Sequence, residues 1–139
     1  YAFVGHDYPG APQINLKTID ETPFQIGDIP FIPIRAIHKT LPVLGFRIHD
    51  FTYITDANFI ADVELEKIKG SKVLVLNALR KEPHYSHFNL EQAIEIVCRT
   101  QPEKAYFTHI SHHLGLYDVV MKELPGSMEL AYDGLQIVM

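Results

Sequence analysis

The chain has 139 residues, of which 47% are hydrophobic and 21% are charged, so it is long enough to bury the core of one folded domain. Its formal net charge of -5 argues against a broad nucleic-acid-binding face, because such faces need clustered lysine and arginine. The single cysteine, Cys98, excludes an intramolecular disulfide and fits a reducing compartment, so we predict a cytoplasmic location. The sequence contains no run of about 18 apolar residues and predicts no membrane span.

The first part of the chain reads as a β-meander. Glycine and proline make residues 1–13 irregular. Pro33 interrupts one of the predicted strands and favours an edge or bulged position there. His49-Asp50 is the two-residue turn of a predicted hairpin. The predicted strands cover residues 14–19, 23–26, 31–38, 45–48 and 51–55.

The second part alternates strands and helices. Asn89 or Ser86 is expected to cap the helix that begins near Leu90. Helices are predicted over 62–69, 90–97 and 117–124, strands over 72–76 and 104–108, and a final hairpin of 128–131 and 135–138 around Asp133-Gly134. The predicted fold class is therefore α/β (α+β), a mixed sheet with helices on one face. Its second face would be bare and would need a partner layer.

Three predicted strands end at side chains that ligate metals. His38, Asp56 and His109 each follow a strand, and the stretch around His109, residues 106–115, holds three of the eight histidines. Strand ends of one sheet share an edge, so these side chains are expected to converge there, where open α/β sheets bind ligands. A carboxylate between imidazoles suits Zn, Mn or Fe. The alternative is that each residue serves an ordinary turn.

Two further histidines lie near these strand ends. His87 occupies the loop between a buried strand and the next helix. Histidine is the residue type that most often serves as a general acid near neutral pH. A packing role beside the helix explains His87 equally well. His112 is a candidate for orienting the metal ligand His109 as a hydrogen-bond donor, or for bonding to the backbone instead.

Five segments of the chain, taken in order, resemble a known family. Their sequence resembles the C-terminal half of metallo-β-lactamase-fold hydrolases. The branch that looks nearest is the cyclic-phosphate phosphodiesterases of phosphonate breakdown, and the tRNA 3′-processing nucleases look more distant. The segments are Pro42–Ile48, Tyr53–Asp56, Ser86–Leu90, Thr108–His112 and Tyr132–Gly134.

The resemblance implies a fold and a role for each matched residue. The fold would be the C-terminal part of an αββα sandwich. His38 would be a metal ligand, Asp56 would bridge two divalent ions (Zn or Mn), and His109 would be the last histidine ligand. His87 would protonate the leaving group. The implied substrate is a small phosphate ester.

One part of the family pattern is missing from this sequence. The first metal motif, His-x-His-x-Asp-His, does not occur in the chain. The domain prediction is therefore that residues 1–139 form a partial domain, the C-terminal half, whose start at Tyr1 reads as a processed or expressed fragment. Each ion would keep two protein ligands, so we expect weak or no metal binding by this chain alone. The bare sheet face is expected to pair with a second copy or with the missing N-terminal half.

Three functions follow as hypotheses. The first is a metal-dependent phosphodiesterase that acts on a small (cyclic) phosphate ester, seen here as a fragment with an incomplete site. The second is a non-catalytic remnant used for dimerisation or ligand binding. The third is a nuclease similar to the tRNA 3′-processing enzymes, and the acidic net charge argues against it.

Overall fold

A computed structural model describes residues 16–139, which form one eight-stranded sheet with helices on one face. The strands are β1 Phe24–Ile26, β2 Ile29–His38, β3 Leu41–Ile48, β4 Phe51–Ile54, β5 Phe59–Ile60, β6 Val73–Asn77, β7 Lys104–Thr108 and β8 Met128–Leu130. The helices are α1 Asp62–Ile68, α2 Leu90–Thr100 and α3 Tyr117–Glu123, with a 3-10 turn at His112–Leu114. Among residues 16–139, no helix combines the length and apolarity needed to cross a membrane.

The sheet changes from antiparallel to parallel halfway across. Its order is β1-β2-β3-β4-β6-β7-β8, and β5 pairs with the other side of β2. Neighbours from β1 to β4 run antiparallel, whereas β4, β6, β7 and β8 are parallel. Two antiparallel steps give β2 the same direction as β4. The carboxyl ends of β2, β4, β6, β7 and β8 therefore share one edge of the sheet.

The core lies between the sheet and its helices. Central strand β6 is buried along its whole length, as expected for a parallel strand flanked by neighbours on both sides. Helix α2 begins with a capping box in which the Asn89 side chain accepts from Gln92 N and the Gln92 side chain accepts from Asn89 N. Its apolar stripe, with Ala93 and Val97, packs into the core. This cap fixes where the loop before α2 ends.

The opposite face of the sheet is aromatic and only half covered. Phe24 and Phe31 stack at 5.2 Å between ring centroids, and Phe46 meets each of them edge-on at 6.1 Å. Register places Tyr53 beside Phe46 on this face, and 43% of Tyr53 is exposed. This is the bare second face that the sequence predicts.

Most predicted elements are confirmed. The hairpin around His49-Asp50, the three helices and the strands ending at His38, near Asp56 and near His109 are all present. Pro33 pairs with Phe46 on one side, and on its other side it lies between the stretches of β2 that pair with β1 and β5. Its missing N–H therefore falls at a local edge, as predicted.

Two predicted strands are wrong. Residues 16–19 are irregular; residues 14–15 of that predicted strand, and the segment 1–13, lie outside the described residues. Residues 135–138 form no strand, because β8 pairs in parallel with β7 instead of folding back on the tail. The Asp133-Gly134 turn itself forms, with a hydrogen bond from Leu135 N to Tyr132 O.

Candidate metal centre

Four strand ends deliver polar side chains to the shared edge of the sheet. His38 is the last residue of β2, and Asp56 follows β4 after one intervening residue. Asn77 ends β6, and His109 follows β7 directly. Because these four strands run in the same direction, their termini meet at the edge where open α/β sheets bind ligands.

The backbone turns sharply at this edge. Asp56 and His109 adopt the left-handed conformation, with φ of 54° and 56°, and Lys39, directly after His38, has φ of 61°. Such angles are uncommon for residues other than glycine. Residues held this way cluster at functional sites, where the surrounding structure maintains the strain. The turns redirect the chain so that each side chain lies over the sheet edge.

Asp56 is the centre of the cluster. Its Oδ1 lies 3.1 Å from His87 Nε2 and 3.4 Å from His109 Nε2. The two imidazole rings stack with their centroids 4.7 Å apart and their planes 21° from parallel. One carboxylate oxygen is thus flanked by two ring nitrogens from two different loops.

His38 completes the cluster from the other side. Its ring meets the His87 ring edge-on at 4.8 Å between centroids. One donor atom from each of His38, Asp56 and His87 lies within 4.8 Å of the other two. Two imidazoles and a carboxylate match the ligand types that Zn and Mn accept, and three protein ligands with an open position are usual for catalytic Zn. The residues present therefore fit a divalent ion.

His87 is held by its own loop. Its Nδ1 lies 2.9 Å from Ser86 Oγ, which is buried, and 3.2 Å from His84 Nδ1. The His87 side chain is 12% exposed. Burial lowers the pKa of His84, and the nearby positive charges of Arg80, His87 and His38 lower it further. The loop thus fixes the ring of His87 with Nε2 facing Asp56.

The structure unites four of the five site residues predicted from the sequence. His38, Asp56 and His109 converge as predicted from the strand ends, and His87 lies between them. The orienting role of His112 stays a prediction; its ring is exposed and packs on His113 at 3.9 Å.

Sequence reasoning missed three residues of the site: Ser86, Asn58 and Asn77. Ser86 contacts His87, whereas the two asparagines hold the backbone of the site loops. A signal existed for Asn77, since a polar residue directly after the apolar run 73–76 stands at a strand's carboxyl end.

An open cavity of about 230 Å³ adjoins His109. It lies between the loops that follow β7 and β8, beside the cluster at the sheet edge. Its lining residues are Thr108, His109, Ile110, Ala131, Tyr132 and Asp133. The cluster can therefore be reached from solvent on this side.

Residues 1–110 match the family profile of the beta-lactamase superfamily domain. The chain belongs to this family. The profile covers β1 to β7 and includes His38, Asp56, His87 and His109. The resemblance read from the sequence segments is confirmed, and the superfamily fold accounts for the mixed sheet with helices on one face.

Solved structures show the same fold. A crystal structure described as a new diphosphatase from the PhnP family superposes with a TM-score of 0.88 and 31% identity, covering 91% of this chain and 50% of that chain. The metallo-beta-lactamase fold protein YhfI from Bacillus subtilis gives a TM-score of 0.75 at 18% identity, over 90% of this chain and 56% of that one. The short form of human tRNase Z gives 0.62 at 14% identity, over 81% and 44%. At those lower identities the likeness shows the fold alone.

A curated relative from Porphyromonas gingivalis (strain W83) carries the name octanoyltransferase. It is 34% identical over 140 residues, which cover 99% of this chain and 28% of that protein. The chain thus spans about a quarter of this relative and half of the diphosphatase.

Proposed function

We propose that this chain is the C-terminal part of a metal-dependent phosphodiesterase that hydrolyses a small, and specifically a cyclic, phosphate ester. The observation that carries the proposal is the meeting of His87 Nε2 and His109 Nε2 at one oxygen of Asp56, with His38 alongside. The 31% identity to a diphosphatase of the PhnP family supports phosphate-ester chemistry.

The metal ligands in this proposal are His38, Asp56 and His109. His87, whose donor atom also lies within 4.8 Å of those of His38 and Asp56, is assigned to proton transfer rather than to ligation. Asp56 has two carboxylate oxygens and stands between the histidines, so it can contribute to two ions, one shared with His38 and one with His109. Bound divalent ions, Zn or Mn, would lower the pKa of a water and offset charge on a phosphate oxygen. The residues of this chain would hold the ions at the shared sheet edge, where the ester would bind.

His87 is the general acid of the proposal. Ser86 Oγ contacts its Nδ1 at 2.9 Å, which leaves Nε2 as the atom that faces the cluster. A proton on Nε2 can pass to the leaving oxygen of the ester. His87 is mostly enclosed, so its ring keeps one orientation while the ester is bound.

The remaining ligands would come from outside this sequence. The chain covers half of the diphosphatase and lacks the motif His-x-His-x-Asp-His. We propose that a segment carrying this motif packs on the aromatic face around Phe46 and Tyr53, in a longer protein or as a separate chain. A second copy of this chain is the alternative occupant.

Hydrolysis of bis-(p-nitrophenyl) phosphate tests the proposal. The assay compares the 139-residue chain with an extended protein, defined as this chain preceded by a segment with the first motif, both with Mn²⁺ or Zn²⁺. We expect activity from the extended protein, and its loss in His109→Ala. His113→Ala, a histidine of the same loop with an exposed ring, is the matched control and should retain activity.

Substitution of His87 separates its role from metal binding. His87→Ala should keep the metal content of the extended protein and lose most of the turnover, on the order of 10²-fold. An extended protein that binds two ions per chain and hydrolyses no phosphodiester would contradict the proposal. It would leave the non-catalytic role as the better description.

A further inference from the structure

The turn that carries Asp56 is fastened by a buried asparagine from the neighbouring strand. Asn77, fully buried at the end of β6, accepts from Ala57 N at 3.0 Å through Oδ1 and donates to Ala57 O at 3.0 Å through Nδ2. The two bonds satisfy both backbone polar atoms of Ala57, the residue directly after Asp56. A left-handed residue needs such outside support, because its own conformation is unfavourable.

A second asparagine fastens the turn that carries His38. Asn58 Oδ1 accepts from Lys39 N at 2.8 Å, and Asn58 N donates to Ile37 O at 2.8 Å. The two bonds bracket His38 on both sides. Asn58 Nδ2 also reaches Tyr85 O at 3.4 Å, in the loop of His87.

The loops of His87 and His109 are hydrogen-bonded to the same backbone frame, which consists of the residues around Asn58 and Asn77. Phe88 N, directly after His87, donates to Ala57 O at 2.8 Å, the same oxygen that Asn77 holds. Ala78 N, directly after Asn77, donates to Thr108 O at 3.0 Å, which fixes the residue before His109. Each of the four site residues is therefore next to a residue that is hydrogen-bonded to the frame. The partner in that bond is either one of the two asparagines or a direct sequence neighbour of one.

We propose that Asn58 and Asn77 are positioning residues that set the spacing of the donor atoms of His38, Asp56, His87 and His109. The inference rests on the function proposed above, because it concerns the same site. Both side chains contact backbone rather than the reacting groups. Removal of their bonds should therefore shift the histidines and the carboxylate relative to one another while the helix-covered core persists.

The test compares site geometry with stability. Asn58→Ala removes the acceptor for Lys39 N, whereas Asn58→Asp keeps it. Asn77→Asp keeps the acceptor for Ala57 N and loses the donor to Ala57 O. The matched control is Thr52→Val. Thr52 lies in β4, away from the site edge, and its substitution breaks a buried 2.7 Å hydrogen bond to Ser71, in the turn before β6. Ser71 Oγ keeps its bond to Ile68 O in that control.

Two readouts separate positioning from stability. Two-bond proton–nitrogen correlation spectra of the metal-free 139-residue chain report the histidine rings, and Co²⁺ titration of the extended protein reports affinity and coordination geometry. We expect Asn58→Ala to move the His38 resonances and to weaken Co²⁺ on the order of 10-fold. Asn77→Asp should move those of His87 and His109. Asn58→Asp should restore the His38 signals, and Thr52→Val should move none.

Specific outcomes would overturn the inference. It fails if Asn58→Ala lowers the unfolding midpoint as Thr52→Val does and leaves the ring resonances and Co²⁺ affinity unchanged. If Asn77→Asp does not fold, Asn58→Ala decides alone, since Asn58 is only half-buried. If the extended protein binds no Co²⁺, the proposed function is wrong. The ring spectra of the metal-free chain still decide whether the asparagines position the site.

Discussion

Asp56 and His109 leave two different strands with nearly the same left-handed backbone, φ of 54° and 56°, and their side chains meet at 3.4 Å. Neither residue is glycine, so both turns carry a conformational cost of about 1–2 kcal/mol each. The bonds around them offset that cost. The function proposed above would account for a carboxylate and an imidazole at two positions where glycine is less strained.

Substitution of Asp56 by asparagine should separate the effect of the carboxylate charge from the effect of the backbone conformation. Asparagine tolerates positive φ, so Asp56→Asn should fold with nearly unchanged stability. The loss of one negative charge between two imidazoles should weaken Zn²⁺ binding by the extended protein by at least about 10-fold, because hard and borderline cations favour carboxylate over amide oxygen. Titration with a Zn²⁺-competing chromophore measures this. Asp133→Asn is the control, and an equal loss there would contradict the role of Asp56.

The strain at His109 predicts an inverted order of stability for two small substitutions. His109→Gly should be more stable to urea than His109→Ala by about 1 kcal/mol, because alanine is strained at positive φ and glycine is not. The usual order is the reverse wherever φ is negative. His113, in the same loop, gives the comparison pair His113→Gly and His113→Ala. Alanine at least as stable as glycine at position 109 would show that the turn is unstrained.

Gly45 in β3 lies too close to β4 to accept a side chain. A Cβ there would stand 2.5 Å from Ile54 Cγ1 and 2.9 Å from the Tyr53 carbonyl oxygen. The strands would have to separate, so Gly45→Ala should lower the free energy of unfolding by about 2 kcal/mol. Gly126→Ala, where a Cβ meets nothing within 4 Å, should change it by less than about 0.5 kcal/mol. Equal urea midpoints for the two variants would contradict the close approach.

The sequence alone is enough to predict the edge of the sheet at which the candidate site lies. Apolar runs that end in His38, Asp56 and His109 predict polar strand ends, and the parallel direction of the strands brings such ends together. Local pattern carries this information, because each run and its terminal residue are neighbours in the chain.

Long-range backbone partners could not be read in the same way. Asn77 bonds to Ala57, 20 residues earlier, and no local pattern marks that pair. The predicted strand at 135–138 failed for the same reason. The Asp133-Gly134 dipeptide predicts a turn correctly, but β8 finds its partner in β7 rather than across the turn.

The ion pair of Asp50 and Lys72 predicts how stability changes with pH. A hydrogen bond from Lys72, followed by its charge, lowers the pKa of Asp50 below 3.8. A lowered carboxyl pKa stabilises the folded state above the unfolded value, and the contribution is lost as pH falls through the folded pKa. Lys72→Met should therefore be less stable than wild type at pH 7, and the difference should shrink below about pH 3.8.

Urea unfolding at pH 7, 4 and 2.5 measures the Lys72 effect. High salt should reduce the difference at pH 7, because both groups are exposed and screened. Lys122→Met, on the exposed side of α3, is the control and should show a difference that does not depend on pH in this range. A Lys72→Met difference that stays constant from pH 7 to pH 2.5 would rule out the pair as its source.

The aromatic face around Phe46 and Tyr53 is the surface on which the segment proposed above would pack. Tyr53 is 43% exposed beside Phe46, so Tyr53→Lys should leave the stability of the 139-residue chain within about 0.5 kcal/mol of wild type. The same charge should strongly weaken association with a separately expressed segment that carries the first motif, because it would be buried without a partner. Val63→Lys places the same charge on α1, at a residue that is 70% exposed, and this variant should bind the segment normally. Sedimentation velocity of the mixed chains measures the association. Normal binding by Tyr53→Lys would move the interface elsewhere, and self-association of the 139-residue chain that Tyr53→Lys abolishes would assign the face to a second copy.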